Sequence, residues 1–195
     1  KFREQNLGNR VVWETENFVV FPAVDELVEG YLLIASKRHF VGVGGIPPNL
    51  YEELRSVQAG VRSVLGKNYE VPIFFEHGPV AANRKGGCCI VHAHIHAVPG
   101  KINILDPLRA KFICREINSY EDLSHKFNHG EPYFFVEEND GKRYIVDIPP
   151  IMPSQFLRQI VAREINQPNR WDWRRYPGLE KLEQTIQKLR DEFPP

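Results

Sequence analysis

The sequence predicts an α+β protein in which helices pack against an antiparallel sheet. Short segments rich in β-branched and aromatic residues, separated by polar turns, indicate strands. One long segment between them has apolar residues at helical spacing instead. In chain order the predicted elements are strands at 11–13, 18–21 and 31–35, a helix at 48–65, and strands at 71–76 and 89–98. This alternation of strands with one amphipathic helix is typical of a two-layer α+β fold.

The helix at 48–65 is predicted from its apolar stripe. Its members recur every three or four residues: Leu50, Leu54, Val57, Val61 and Leu65. Such a stripe faces a core, and the sheet is the surface available to it.

Beyond Pro107 the pattern changes. Strands at 133–138 and 144–148 flank Asp140-Gly141, a pair that suits the positive φ of tight hairpin turns. Helices follow at 153–165 and 179–193. We therefore expect a core at 1–107 and a C-terminal α/β extension at 108–195, a hairpin and two helices packed on that core.

Composition limits the functional classes. The chain has 195 residues, with 25 basic and 25 acidic side chains and no formal net charge, so a nucleic-acid partner is not favoured. An odd number of cysteines, with Cys88 adjacent to Cys89, is unlike a secreted disulfide framework. There is no apolar run of membrane-spanning length and no recognisable signal peptide. The expected location is the cytoplasm, without a membrane partner.

Three histidines at alternate positions are the best candidates for chemistry. In a strand, His92, His94 and His96 lie on one face because successive side chains point to opposite faces. The other face then carries small or apolar residues: Ala93, Ile95 and Ala97.

Aligned imidazoles have two chemical uses and one structural one. A neutral imidazole is a common metal ligand, and Glu76, His77, Cys88 and Cys89 are upstream residues that could complete such a site. A neutral imidazole is also a nucleophile that forms covalent intermediates. The structural alternative is a set of hydrogen-bonded strand histidines. We favour the nucleophile and expect no protein-bound metal.

A glycine-rich segment before the triad is the second feature, at residues 74–79 and 86–89. Glycines let backbone N–H groups approach phosphate oxygens, although a plain hairpin with a surface loop has the same composition. Arg84 and Lys85 add positive charge to this loop. The candidate substrate-binding residues in this region are Glu76, His77, Gly78, Gly87, Cys88 and Cys89.

These motifs resemble the histidine triad (HIT) superfamily. Residues 92–98 match its pattern His-φ-His-φ-His-φ-φ, where φ is apolar, and Pro99 follows. Residues 17–21, 29–34 and 36–39 are similar to its first two core strands and the turn after them. The resemblance covers about residues 10–105. The Glu-His-Gly-Pro segment at 76–79 is similar to a bacterial branch of the superfamily, and the C-terminal part to splicing-linked relatives.

The resemblance implies a nucleotide hydrolase or nucleotidyltransferase acting on a small-molecule nucleotide. His94 would attack the α-phosphate, His96 would hydrogen-bond the phosphate or leaving group, and His92 would orient the others. Phe18 and Phe21 fall at substrate-binding positions of the first strand. The resemblance implies no required cofactor. Mg²⁺ is a candidate only as a counter-ion of the nucleotide substrate. A homodimer is also left open, because dimers are common in this superfamily.

Several positions depart from better-known members. Cys88 and Cys89 replace phosphate-binding polar residues, Glu76 replaces an amide, and Tyr31 replaces a histidine. Asp25 is the closest substitute for the group that holds the ribose. These departures keep two alternatives open: a non-catalytic nucleotide- or RNA-binding module, and a metal-dependent hydrolase using the histidine row as ligands.

Overall fold

The computed structural model describes residues 10–24, 26–81, 87, 90–176 and 179–194. Within these residues, eight strands form one antiparallel sheet. They are β1 (Trp13–Glu14), β2 (Phe18–Pro22), β3 (Leu32–Ser36), β4 (Pro72–Gly78), β5 (His94–Pro99), β6 (Cys114–Ile117), β7 (Tyr133–Glu137) and β8 (Arg143–Asp147). Their order across the sheet is β1-β2-β3-β5-β4-β7-β8-β6. The predicted α+β fold with its antiparallel sheet is confirmed.

The strand carrying the triad is shorter than predicted. It begins at His94 rather than at residue 89, and His92 lies before it. The Ala93 N–H donates to the Phe40 carbonyl and the His92 N–H to the Ile90 carbonyl, so the backbone bends here. The prediction that all three histidines share one strand is therefore wrong for His92.

Helix α1 (Tyr51–Asn68) follows a 3-10 turn at Pro48–Leu50 and covers one face of the sheet. Four of the five residues in the predicted stripe are buried, and Leu50 is half-buried. They pack on alternate residues of the central strands, such as Ile34, Ile95 and Phe74. We call this side of the sheet the α1 face.

The sheet continues across residue 107 without interruption. Strand β7 pairs along its whole length with β4, so Phe74 lies opposite Glu137 and Gly78 opposite Tyr133. Three elements of the C-terminal part were not predicted: α2 (Leu105–Arg109), β6 and α3 (Glu121–Asn128). Strand β6 lies at the edge of the sheet. Two consecutive exposed residues, Arg115 and Glu116, interrupt the alternation of apolar and polar residues from which a strand is predicted.

Two further helices complete the fold, α4 (Phe156–Glu164) and α5 (Leu179–Leu189). Helix α4 covers the face opposite α1, where Leu157, Ile160 and Val161 pack with Phe75 and Phe134. It begins later than predicted because Gln155 has a left-handed backbone, with φ of 57°. We call this side of the sheet the triad face.

Candidate active site

His94 and His96 lie together on the triad face. Residue pairing aligns Leu33, His96 and Phe75 across three neighbouring strands, and Phe21 continues the same row. The ring centroids of His94 and His96 are 4.8 Å apart. The position of His94 and His96 on one face of the sheet agrees with their alternate spacing in the sequence.

His94 has its proton placed by the backbone. Its Nδ1 lies 2.6 Å from the His92 carbonyl oxygen, which can only accept a hydrogen bond. The proton of the neutral ring is therefore on Nδ1, and Nε2 carries the lone pair. Burial lowers the pKa of His94 below its usual value, and the hydrogen bond to the His92 carbonyl offsets only part of this effect. A neutral imidazole with a fixed lone pair is the form needed in a nucleophile.

His96 is more deeply buried than His94. Its ring stacks on Phe75 with centroids 4.5 Å apart and an interplanar angle of 12°. Its Nδ1 lies 2.7 Å from the Tyr31 hydroxyl. Burial holds the pKa of His96 well below its usual range, and the positive charge of Arg158 acts in the same direction. His96 is therefore neutral at pH 7.

His92 orients His94 through its main chain rather than its ring. Its Nε2 lies 2.7 Å from the Ser36 carbonyl oxygen and 3.3 Å from the Ser36 hydroxyl. The ring edge meets His39, with centroids 5.1 Å apart. The His92 side chain thus anchors the bend whose carbonyl fixes the His94 proton.

His77 lies on the triad face but is occupied by a structural contact. Its Nε2 accepts a hydrogen bond of 3.1 Å from the Leu157 N–H at the start of α4. Burial, assisted by His94 and Arg158, lowers its pKa to about 3. The observed role of His77 is therefore to cap the start of α4, and its role in substrate binding stays a prediction.

Glu76 and Phe18 lie on the α1 face, away from the triad, and their prediction as substrate-binding residues is corrected. Phe18 belongs to the α1-face core. Glu76 accepts hydrogen bonds from the Val43 N–H at 2.6 Å and the Tyr133 hydroxyl at 2.9 Å. Burial raises its pKa to about 7. Glu76 therefore tethers the segment after β3 to the sheet.

The glycines of this region serve packing. A Cβ at Gly78 would lie 2.3 Å from the Tyr133 ring, and one at Gly87 would lie 2.6 Å from the Pro153 carbonyl oxygen. The Gly87 carbonyl accepts from the Gln155 N–H at 2.8 Å, which joins the loop to the start of α4. The remaining predicted residues lie outside the described residues: Asp25, Arg84, Lys85, Cys88 and Cys89.

Arg158 of α4 is a buried cation on the triad face, near Tyr31. It is 4% exposed, and its guanidinium carbon lies 5.2 Å from the centre of the Tyr31 ring. Its Nε donates to the Trp171 carbonyl at 3.0 Å. Trp171 packs against the triad-face core. Arg174 forms an ion pair with Asp172 at 2.8 Å.

The described part of the chain has neither a cluster of metal ligands nor a membrane-spanning helix. No group of three or more His, Cys, Asp or Glu converges there as metal ligands. No helix in that part is both long and apolar enough to cross a bilayer.

Comparison with curated proteins gives distant relatives over nearly the whole chain. CWF19-like protein 1 of Xenopus laevis is 25% identical over 197 residues, covering 92% of this chain and 34% of the relative. Zinc finger CCCH domain-containing protein 64 of Arabidopsis thaliana is 25% identical over 201 residues, covering 92% and 32%. The chain thus spans about a third of the length of these relatives. No family model matches it.

Solved structures give partial likenesses. A HIT family protein from Bacillus anthracis has a TM-score of 0.40 and 20% identity over 46% of this chain and 62% of that chain. A Zn-bound histidine triad family protein from Mycobacterium smegmatis has a TM-score of 0.38 and 18% identity over 62% and 81%. We take no role for any residue from them.

The sheet, the helices that cover it and the two histidines on strand β5 define an α+β protein with a histidine pair on one face of an antiparallel sheet. The similarity to CWF19-like protein 1 extends over 92% of the chain, most of its C-terminal part included, so the predicted resemblance of that part to such relatives is confirmed.

Proposed function

We propose that the chain cleaves a nucleotide at its α-phosphate by covalent attack of His94. The observation that supports the proposal is the hydrogen bond from His94 Nδ1 to the His92 carbonyl, which leaves Nε2 as a lone pair on a neutral ring. The substrate class is a nucleoside polyphosphate, dinucleoside polyphosphate or phosphoramidate, and the acceptor is water or a second nucleophile.

The reaction has two steps. In the first, His94 Nε2 forms a bond to the α-phosphorus while the bond to the leaving oxygen or nitrogen breaks. The imidazolium produced keeps its Nδ1 proton, and the His92 carbonyl stabilises its positive charge. His96, beside it, hydrogen-bonds the leaving group or a phosphate oxygen. In the second step water attacks phosphorus, the bond to Nε2 breaks, and the neutral ring is restored as the water loses a proton.

The test is intact-protein mass spectrometry after brief incubation with a panel of these nucleotides, with released mononucleotide measured in the same samples. We expect a nucleotidyl mass on the peptide that contains His94, or product without adduct where the second step is fast. His94→Ala should abolish both. His129→Ala is the matched control, because His129 is an exposed histidine directly after α3. Normal turnover by His94→Ala would refute the mechanism.

One observation favours a second function, non-catalytic nucleotide binding. Helix α4 packs over the triad face, and His96 is only 8% exposed. Such a module would bind nucleotides with neither adduct nor product across the panel. Calorimetric titration of the wild-type chain with the same panel distinguishes the two functions.

A further inference from the structure

The C-terminal part contributes a cation close to the triad, although it lies far along the chain from the histidines. Arg158 of α4 stacks on Tyr31, and Tyr31 contacts His96. All three side chains are buried, with Tyr31 at 0%, Arg158 at 4% and His96 at 8% exposure. A buried cation needs compensation, and the aromatic face provides part of it.

The position of Arg158 is fixed by its own neighbours. Its Nε donates to the Trp171 carbonyl at 3.0 Å. The next residue, Asp172, accepts from Gln155 Nε2 at 3.1 Å, just before α4 begins. The segment that accepts the hydrogen bond from Arg158 is therefore itself tied to the residue before α4, and the guanidinium lies over the Tyr31 ring.

The direction of the Tyr31–His96 hydrogen bond follows from the basicity of its two atoms. An imidazole nitrogen is a stronger base than a phenol oxygen, and a phenol is a good O–H donor. A cation over the phenol ring strengthens that donor further. The favoured arrangement is Tyr31 O–H donating to His96 Nδ1, which leaves the single proton of the neutral His96 ring on Nε2.

We propose that Tyr31 and Arg158 are positioning residues that fix the proton of His96 on Nε2, so that this atom donates to the substrate beside His94. This inference rests on the proposed function for its catalytic meaning, and deepens it. His96 is then a neutral hydrogen-bond donor. The C-terminal part of the chain is thereby needed for the chemistry of a histidine in the N-terminal part.

The direct test is the tautomer of His96 in the full chain. Histidine labelled with ¹⁵N is observed by long-range ¹H–¹⁵N correlation, and His96→Gln identifies the signals of His96. We expect the wild-type proton on Nε2, and a mixed or reversed tautomer in Tyr31→Phe, which retains the ring under Arg158. A proton on Nδ1 in the wild type, or an unchanged tautomer in Tyr31→Phe, would overturn the role of Tyr31.

Arg158 is tested by two substitutions. Arg158→Met removes the charge and should give the same mixed tautomer, whereas Arg158→Lys should restore part of the Nε2 population. An Nε2 proton unchanged in Arg158→Met would overturn the role of Arg158. If Arg158→Met does not fold, two other variants test the role of Arg158. Arg158→Thr also removes the charge, so an unchanged His96 tautomer in it would refute that role. Arg158→Lys keeps the charge, so a fully altered His96 tautomer in it would refute that role as well.

Tyr120→Phe is the matched control for loss of a buried tyrosine hydroxyl. Tyr120 lies in the α1-face core, and its hydroxyl contacts Gln58. Tyr120→Phe should leave the NMR signals of His96 unchanged. A change in these signals would mean that they respond to any loss of core packing and not to the Tyr31–His96 hydrogen bond.

Kinetics provide the second readout wherever adduct or product forms. Tyr31→Phe should lower kcat about 3- to 10-fold with little change in KM, because the bond it removes acts on the transition state. The tautomer measurement needs no turnover. A failed function and a failed positioning role are therefore distinguishable. Adduct or product together with an unchanged tautomer refutes the positioning role alone, and an altered tautomer with neither adduct nor product refutes the proposed function alone.

Discussion

Replacing Glu26 with glutamine tests how strongly one buried carboxyl group makes stability depend on pH. Glu26 is fully buried, and its Oε2 accepts a hydrogen bond of 2.7 Å from Thr185 on α5. Among the described residues, its Oε1 has no hydrogen-bond partner. Burial raises the pKa of Glu26 from 4.5 to about 8.

The sign and size of the effect follow from this shift. The unfolded chain releases the proton near pH 4.5, but the folded protein retains it until about pH 8. The contribution of Glu26 to stability is therefore complete below pH 4.5 and is lost as pH rises to 8. Each pH unit corresponds to about 1.4 kcal/mol per group. Between about pH 6.5 and 8.5 the loss from Glu26 is on the order of 2 kcal/mol.

The buried histidines act in the opposite direction and in a different pH range. The lowered pKa values of His77, His94 and His96 stabilise the fold above about pH 6.5, and that stabilisation is lost as pH falls below it. Glu76 acts like Glu26 but only up to about pH 7. Stability should therefore be greatest near pH 6.5, and its decline above this value belongs mainly to Glu26.

The assay is urea unfolding at pH values from 6.5 to 8.5. Wild type should lose about 3 kcal/mol over this range, about 2 kcal/mol of it from Glu26 and the rest from Glu76, and Glu26→Gln should lose only the Glu76 part. Glu180→Gln is the control, because Glu180 is exposed on the same helix that carries Thr185. Equal pH dependence in wild type and Glu26→Gln would refute the assignment of the proton to this carboxyl group.

Three further substitutions test the packing on the two faces of the sheet, each by urea unfolding at pH 7. Gly78→Ala should destabilise the protein by about 1–3 kcal/mol, because its Cβ would meet the Tyr133 ring; wild-type stability would contradict that close approach. His77→Ala should lose about 1–3 kcal/mol, because the buried Leu157 N–H loses its acceptor; no loss would mean that α4 needs no cap. Leu54→Ala, in the α1 core, should lose about 2–5 kcal/mol without changing the tautomer of His96.

Local patterns predicted most of the sheet and the helix α1. The alternate spacing of His94 and His96 was enough to place both on one face. The same rule separates Glu76 from His77, because neighbours in a strand point to opposite faces. The prediction that Glu76 and His77 belong to one site therefore disagreed with the alternation rule itself.

Other features depend on contacts between distant segments. His92 leaves the strand because Ala93 bonds to Phe40, a partner that no local pattern shows. Arg158 reaches Tyr31 only after α4 has packed on the sheet. Strand β6 escaped prediction because its exposed Arg115 and Glu116 do not alternate with apolar residues.

The pairing of β4 with β7 also has a consequence during synthesis of the chain. When only residues up to 107 have emerged from the ribosome, β4 can pair with β5, but the backbone groups on its other side still lack β7. An unpaired strand edge in a nascent polypeptide favours association with other chains. Between translation of residue 78 and residue 137, this edge of β4 therefore lacks its partner strand and is open to association with other chains.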